Sequence, residues 1–311
     1  MGPTACGKTA LAESIAQHFP VEVISVDSAL IYRQMNIGTA KPDADFLIRL
    51  PHHLIDIRDP DQRYSAADFR RDALPLMADI TARGHIPLLV GGTMLYFKVL
   101  LEGIAELPPG DAAIRQQILS DAEQLGWQAM HQRLAEVDPI TAAALHPNHS
   151  QRIQRALEVY YSSGETLSSH QARQQLEALP YRVAQLALWP AKRSELHARI
   201  AQRFDKMLKQ GLVDELRALR RNFDLHADMP SMRSVGYRQS WDYIEQRISA
   251  QQLREQGIAA TRRLAKRQLT WLRKWPHLHR LSANFDQDQV ASYWLETSLQ
   301  KISKLLHELN G

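Results

Sequence analysis

Eight residues near the start of the chain, Gly2-Pro3-Thr4-Ala5-Cys6-Gly7-Lys8-Thr9, constrain its fold more than any other stretch. Two glycines five positions apart, followed by Lys and Thr, form the pattern of a loop whose backbone N–H groups wrap a di- or triphosphate at a helix N-terminus. Lys8 would bring a point charge to the phosphates, and Thr9 a hydroxyl as metal ligand, the expected cofactor being Mg2+. Leu11, Ile15 and Phe19 follow at helical spacing, as a loop-to-helix junction requires. A buried strand should deliver the chain into such a loop, and its residues would have to precede Met1.

The rest of the sequence suits that start. With 44% hydrophobic and 23% charged residues among 311, the chain can bury one large core or two modest ones. The single cysteine, Cys6, excludes a disulfide framework and a cysteine-rich zinc site. No apolar run approaches a membrane span and no basic, apolar leader precedes the loop, so a cytoplasmic protein without a membrane partner is expected, as a monomer. The net charge of +4 is mild, yet Arg262, Arg263, Lys266, Arg267, Arg273 and Lys274 fall in a stretch without a single acid.

Val21 to Val26 reads as a buried strand ending at Asp27-Ser28, where a parallel sheet exposes its ligand-binding edge. His52 to Ile57 suggests another strand, Ser65 to Asp68 a capping box opening a helix that glycine ends near Gly84, and Ile86 to Val90 a strand running into Gly91-Gly92-Thr93 and a further helix. Strand and helix alternating in this way predict an α/β fold, a parallel sheet with helices on both faces. From Asp111 to about Pro180 only helical patterns occur (Ala112–Gln124, Trp127–Glu136, Ser150–Ser162), predicting an all-helical insertion. Tyr181 to Trp189 reads as a strand returning to the sheet. Helices follow at Lys192–Gln210, Val213–Arg221 and Ser249–Trp275, then a strand at His277–Leu281 and a last helix from about Gln287. The expected division is a phosphate-loop core over 1–110, a helical domain over 111–180, and completion of the core over 181–311. Trp127, Trp189, Trp241, Trp271 and Trp275 read as core anchors, and His52, His53, His146 and His149 as turn or half-buried residues without a ligand set.

Several strings together, GPTACGKTALA, ISVDSALIY, IGTAKP, HHLIDI, LLVGGTMLYF, QRIQRALEVY, SVGYRQ and TRRLAKRQLTWLR, resemble the bacterial tRNA dimethylallyltransferases, in family order over nearly the whole chain. The resemblance implies a phosphate-loop core and magnesium-dependent transfer of a dimethylallyl group. The donor is dimethylallyl diphosphate, and the acceptor is the exocyclic amine of the adenosine 3′ of the anticodon, in the tRNA anticodon stem-loop. It puts the donor's diphosphate, where the loop alone would suggest ATP, on Thr4 to Thr9, with Arg203 reaching the pyrophosphate and Asp27 as general base. It assigns RNA contacts to Asp27, Ser28, Ala29 and Leu30, to Thr93 and Arg115, and to Gln151, Arg152, Ile153, Gln154 and Arg155. Further contacts fall to Arg233, Ser234, Val235, Gly236, Tyr237 and Arg238, and to Lys266, Arg267, Gln268, Leu269, Thr270, Trp271, Leu272 and Arg273. Other members carry glutamine after the Asp-Ser pair where this chain has Ala29-Leu30.

Read as residues alone, Asp27 serves equally as a turn cap, Arg203 and the 151–155 segment as solvated helix faces, and Asp56 as a second candidate acid. The chemistry favours the first set of roles, because the delocalised amine of adenine must lose a proton as it attacks and a departing pyrophosphate needs fixed dipoles and cations. A kinase or ATPase, a prenyltransferase acting on free adenine nucleotides, and a non-catalytic RNA-binding module remain as alternatives. The first would usually end a strand in a metal-binding Asp where Gly91-Gly92-Thr93 stands, the second needs no basic helix, and the third needs no Lys8, Thr9 or Asp27.

Overall fold

The computed structural model describes residues 1–105, 107–173, 179–283 and 296–306. Two compact units result, one built from Met1–Leu100 with Leu179–Gly311 and the other from Leu101–Ala178.

The larger unit is mixed α/β with parallel strands. β1 (Val21–Val26) lies between β2 (His52–His53) and β3 (Ile86–Gly91), with Val26 opposite Gly91, so β1 and β3 end at the same edge. β4 (Leu186–Pro190) and β5 (His279–Ala283) make a second parallel pair. Met1 lies along β4, donating its amine to Leu186 O at 2.7 Å and accepting Leu188 N at 2.9 Å, the pattern of a parallel ladder. The order of α1 (Lys8–His18), β1, β2, α3 (Ala66–Ala82), β3 and α4 (Met94–Glu102) follows the sequence pattern, with α2 (Ala44–Arg49) added between β1 and β2. α3 begins at the expected capping box: Ser65 Oγ accepts Asp68 N while the Asp68 carboxylate accepts Ser65 N, a device that contributes about 1 kcal/mol.

The strand expected over His52–Ile57 stops at His53. Leu54 and Asp56 take left-handed φ values of 62° and 55°, and the N–H groups of Asp56 and Ile57 turn to the carbonyls of Leu30 and Ile31. Likewise the strand expected from Tyr181 begins only at Leu186. In the smaller unit, α5 (Ala112–Val137) is interrupted at Gly126, α6 (Pro139–Ala144) and α7 (Ser150–Ser163) follow, and α8 (Leu167–Arg173) closes the described part. Its core is Ile118, Met130, Leu134, Ile153 and Leu157, all under 2% exposed. Back in the larger unit come α9 (Arg193–Lys209), α10 (Leu212–Asn222), α11 (Tyr237–Ile244) and α12 (Ala250–Arg273), with a helix α13 over 296–306; the expected start near Gln287 lies outside the described residues. The short helices α2, α6, α8 and α11 are too brief to show a helical period, and the sequence signals did not mark them.

The α9 face of Leu196, Ile200, Phe204 and Met207 packs into the main core with Tyr237, Trp241 and Leu269. Burial at spacings of four, four and three residues fixes the rotation of α9 and turns Arg199 and Arg203, also four apart, toward the phosphate-loop motif.

Candidate active site

Residues Thr4 to Ala10 run along one wall of a cavity of about 630 Å3. The loop turns at Ala5, with φ 61°, and again at Gly7, with φ 83°, whose position as N-cap offers no side-chain partner to the first N–H groups of α1. Lys8 folds back over the loop and donates to the carbonyls of Gly2 and Pro3 at 3.0 and 2.8 Å. Burial lowers its pKa to about 8, and nearby Asp27 opposes that shift. The Cys6 thiol is buried and pushed up to about 11 by desolvation, so it stays protonated.

The strand ends supply the facing groups. Asp27, the first residue after β1, accepts Ala29 N at 2.9 Å and Leu30 N at 3.4 Å through Oδ1, so it caps its own turn. Its Oδ2 has no hydrogen-bond partner among the described residues. Thr93, two residues after β3, accepts Ser28 N through its hydroxyl at 3.0 Å and donates its own N–H to Val26 O, tying the two strand ends together. Arg203 lies deep in the cavity and donates to Thr39 O at 3.5 Å; burial lowers its pKa, Asp27 raising it. Arg199, which sequence reasoning left unassigned, donates through Nε to Ala5 O at 3.0 Å. Its position one turn before Arg203 was the available signal. Asp56, the second candidate acid, is ion-paired to Lys41 and does not line the cavity.

Four cations, Lys8, Arg199, Arg203 and Lys206, thus line a cavity with one carboxylate, Asp27, and apolar walls from Ile200, Phe204, Met207 and Leu264. Such a balance suits a polyanion carrying an apolar group. No group of three or more His, Cys, Asp or Glu side chains could hold a metal among the described residues, and no described helix is long and apolar enough to cross a membrane.

A profile of the IPP transferase family matches residues 30–275. The chain belongs to the IPP transferase family. It is similar to the full-length tRNA isopentenylpyrophosphate transferase of Bacillus halodurans, at 35% identity over 98% of this chain and 97% of that one, with a TM-score of 0.67. A tRNA delta(2)-isopentenylpyrophosphate transferase from Staphylococcus epidermidis is 32% identical over 99% and 97% of the two chains, with a TM-score of 0.66. A eukaryotic dimethylallyltransferase acting on tRNA is 27% identical over 91% of this chain and 72% of its own, with a TM-score of 0.77.

In this IPP transferase the residues expected to face RNA divide into surface and core. Arg262, Arg263, Lys266, Arg267, Thr270 and Arg273 are exposed on α12, and so is Trp271, which was expected in the core; it is 38% exposed on the basic face. Gln268, Leu269 and Leu272 are buried on the opposite side of the helix. Tyr237, expected among the RNA contacts, has no exposed face: it opens α11, is fully buried, and donates to Glu215 at 2.6 Å. Gly236 is buried beside it, Arg233 is exposed and Arg238 half-buried, while Ser234, Val235, Ala29 and Leu30 line the cavity. In the smaller unit Gln151 and Arg152 are exposed and Ile153 is core. Arg115 and Arg155 both reach the buried Glu158 carboxylate, at 2.8 and 3.2 Å.

Proposed function

We propose that this chain transfers a dimethylallyl group from dimethylallyl diphosphate to the exocyclic amine of the adenosine 3′ of the anticodon in tRNA, releasing pyrophosphate. The observation that carries this reading is the meeting, in one cavity, of the loop Thr4–Ala10, four cations, apolar walls and the Asp27 carboxylate. The first N–H groups of α1, Lys8 and Arg203 would hold the diphosphate and stabilise the charge that grows on it as the allylic C–O bond breaks. Ile200, Phe204, Met207 and Leu264 would take the five-carbon chain and keep water from the cationic carbon. As the C–N bond forms, Asp27 Oδ2 would accept the amine proton, its other oxygen held by the Ala29 and Leu30 N–H groups.

The residues also fit a magnesium ion. Thr9 lines the cavity with a hydroxyl oxygen, and among the described residues no protein cage surrounds it, as suits an ion that takes one or two protein ligands and completes its shell with phosphate oxygens and water. When bound there it would neutralise charge on the departing pyrophosphate. The anticodon stem-loop would be met by the exposed cations of α12 and by Arg115, Arg152 and Arg155.

Incubation with radiolabelled dimethylallyl diphosphate, with either tRNA or AMP as acceptor, tests the reading. Label entering tRNA and not AMP is expected. Label entering AMP alone, or phosphoryl transfer from ATP, would replace it.

A further inference from the structure

Gln268 is the polar member of an otherwise apolar or small buried set on α12: Leu253, Gly257, Ile258, Ala260, Ala265, Leu269 and Leu272. Positions 262, 263, 266, 267, 270, 271 and 273 are exposed, so Gln268 lies on the side of the helix turned away from the basic surface. A buried amide needs partners for both its ends. Its Oε1 accepts the backbone N–H of Thr4 at 2.9 Å, and its Nε2 donates to the carbonyl of Gly92 at 2.9 Å. The two partners fix which end is which, since a backbone N–H can only donate and a carbonyl only accept.

Those partners belong to two different parts of the cavity wall. Thr4 immediately precedes Ala5, the left-handed turn whose carbonyl is held by Arg199. Gly92 immediately precedes Thr93, which holds the Ser28 N–H next to Asp27. The approach is close enough that a Cβ on Gly92 would stand 2.4 Å from Gln268 Nε2. One side chain therefore fastens the diphosphate loop to the edge of the sheet that carries Thr93 and Asp27. A carboxamide suits this task because it offers a donor and an acceptor side by side to two chain segments of opposite need.

We propose that Gln268 is a positioning residue for the prenyl-diphosphate side of the reaction, fixing the conformation of the loop before donor binds, and that it makes no contact with RNA. This rests on reading the loop as the diphosphate site. Loss of the clamp leaves the loop to pay its own ordering when the diphosphate arrives, so donor affinity falls while RNA affinity, set by the opposite side of α12, stays as it was.

The test uses Gln268→Met, which keeps the volume and removes both hydrogen bonds, and Gln268→Glu, which keeps the acceptor for Thr4 and loses the donor to Gly92. Inorganic pyrophosphate and dimethylallyl diphosphate are titrated by calorimetry with Mg2+, tRNA is titrated separately, and thermal unfolding is followed for each variant. For Gln268→Met we expect roughly tenfold weaker binding of both diphosphates and a matching rise in donor KM, the worth of about two neutral hydrogen bonds. We expect tRNA binding within twofold of the parent, and a donor defect at least as large in Gln268→Glu, whose carboxylate faces the Gly92 carbonyl and adds negative charge beside the diphosphate. Parent-like donor binding by Gln268→Met overturns the proposal, as does a fall confined to tRNA. Parallel losses for both substrates together with a lowered melting temperature would reduce Gln268 to general packing and also overturn it. A parent protein that binds pyrophosphate yet prenylates no tRNA would sink the proposed function and leave the clamp to be judged by the pyrophosphate titration; a parent that binds no pyrophosphate sinks both.

Discussion

The Glu215 carboxylate accepts the Tyr237 hydroxyl at 2.6 Å and, with the same two oxygens, the N–H groups of Asn36, Ile37 and Gly38 at 2.9, 2.7 and 3.1 Å. Tyr237 is fully buried, and a Cβ on Gly38 would lie 2.5 Å from its ring. Two motifs far apart in the chain are thus locked through a carboxylate on a third element, α10. Burial and the adjacent Glu215 raise the Tyr237 pKa well above its ordinary value, so the phenol remains a donor. Gly38, Thr39 and Ala40 line the cavity, and Arg203 donates to Thr39 O.

Glu215→Ala should therefore cost about 3 kcal/mol of stability, because it strands three N–H groups and a phenol, whereas Tyr237→Phe should cost about 1 kcal/mol. Chemical denaturation reads both. In steady-state assays the Glu215 variant should show a raised donor KM. Two superimposable denaturation curves would show that the loop holds itself.

Asp27→Asn separates proton acceptance from shape. The amide oxygen can still accept Ala29 N, so the turn should persist, but basicity is gone. Single-turnover chemistry should slow by roughly a hundredfold or more with tRNA affinity within a few-fold of the parent. Weakened tRNA binding with an unchanged rate would mark Asp27 as a turn cap or recognition residue.

Lys8 gives a pH dependence whose sign follows from its burial. In the free protein its pKa is lowered to about 8, so the ammonium is lost as pH rises through that value. Binding a diphosphate favours the charged form; above pH 8 it must therefore be accompanied by proton uptake, and affinity should fall by up to about tenfold per pH unit. Lys8→Arg, which does not titrate there, should abolish that step. Calorimetry of dimethylallyl diphosphate from about pH 7 to 9.5 in two buffers of different ionisation enthalpy measures it. A flat profile for the parent would show Lys8 to be charged throughout.

Neutralising Arg262, Lys266 and Arg273 together, all exposed on α12, should weaken tRNA binding and flatten its salt dependence, by roughly 0.7 to 0.9 in logarithmic slope for each phosphate that is no longer neutralised. Donor binding should be unaffected. An unchanged slope in filter binding at several salt concentrations would leave this face merely solvated.

At the opposite end of β1, Glu22 accepts hydrogen bonds from Arg83, with His53 and His85 at its remaining approaches. Arg83 first, then the two imidazoles, hold its pKa down at about 2 against a usual 4.5. A depressed carboxyl contributes stability that is fully present above the usual value and lost as pH falls from 4.5 toward 2. The shift sets an upper limit of about 3 kcal/mol, which solvent screening reduces to about 1 to 2 kcal/mol. Glu22→Gln should lower stability by that amount at pH 7 and by little at about pH 2.5, without changing prenyl transfer at pH 7. Equal losses at both pH values would assign the effect to packing.

What the sequence determined by itself was local. The glycine spacing and Lys8-Thr9 marked the loop and the helix behind it, Ser65 with Asp68 marked a capping box, and apolar runs marked β1 and β3, because each signal lies within a few residues of the structure it specifies. The helical character of 112–163 was legible for the same reason, including the break near Gly126. The tertiary structure alone decided which polar groups meet. Thr4 and Gln268 are 264 residues apart, Gly38 and Glu215 177 apart, and Arg199 and Ala5 194 apart. No periodicity encodes such pairs, since a buried amide or carboxylate looks in sequence like any solvated one until packing removes the water. The same holds for Tyr237, whose aromatic character suited a base-stacking surface, and for the strand that stops at His53, where loop carbonyls from Leu30 and Ile31 compete for the N–H groups a ladder would have used. Desolvation is the common reason: it is a property of the assembled neighbourhood, and it turns an ordinary polar residue into one that must find a specific partner.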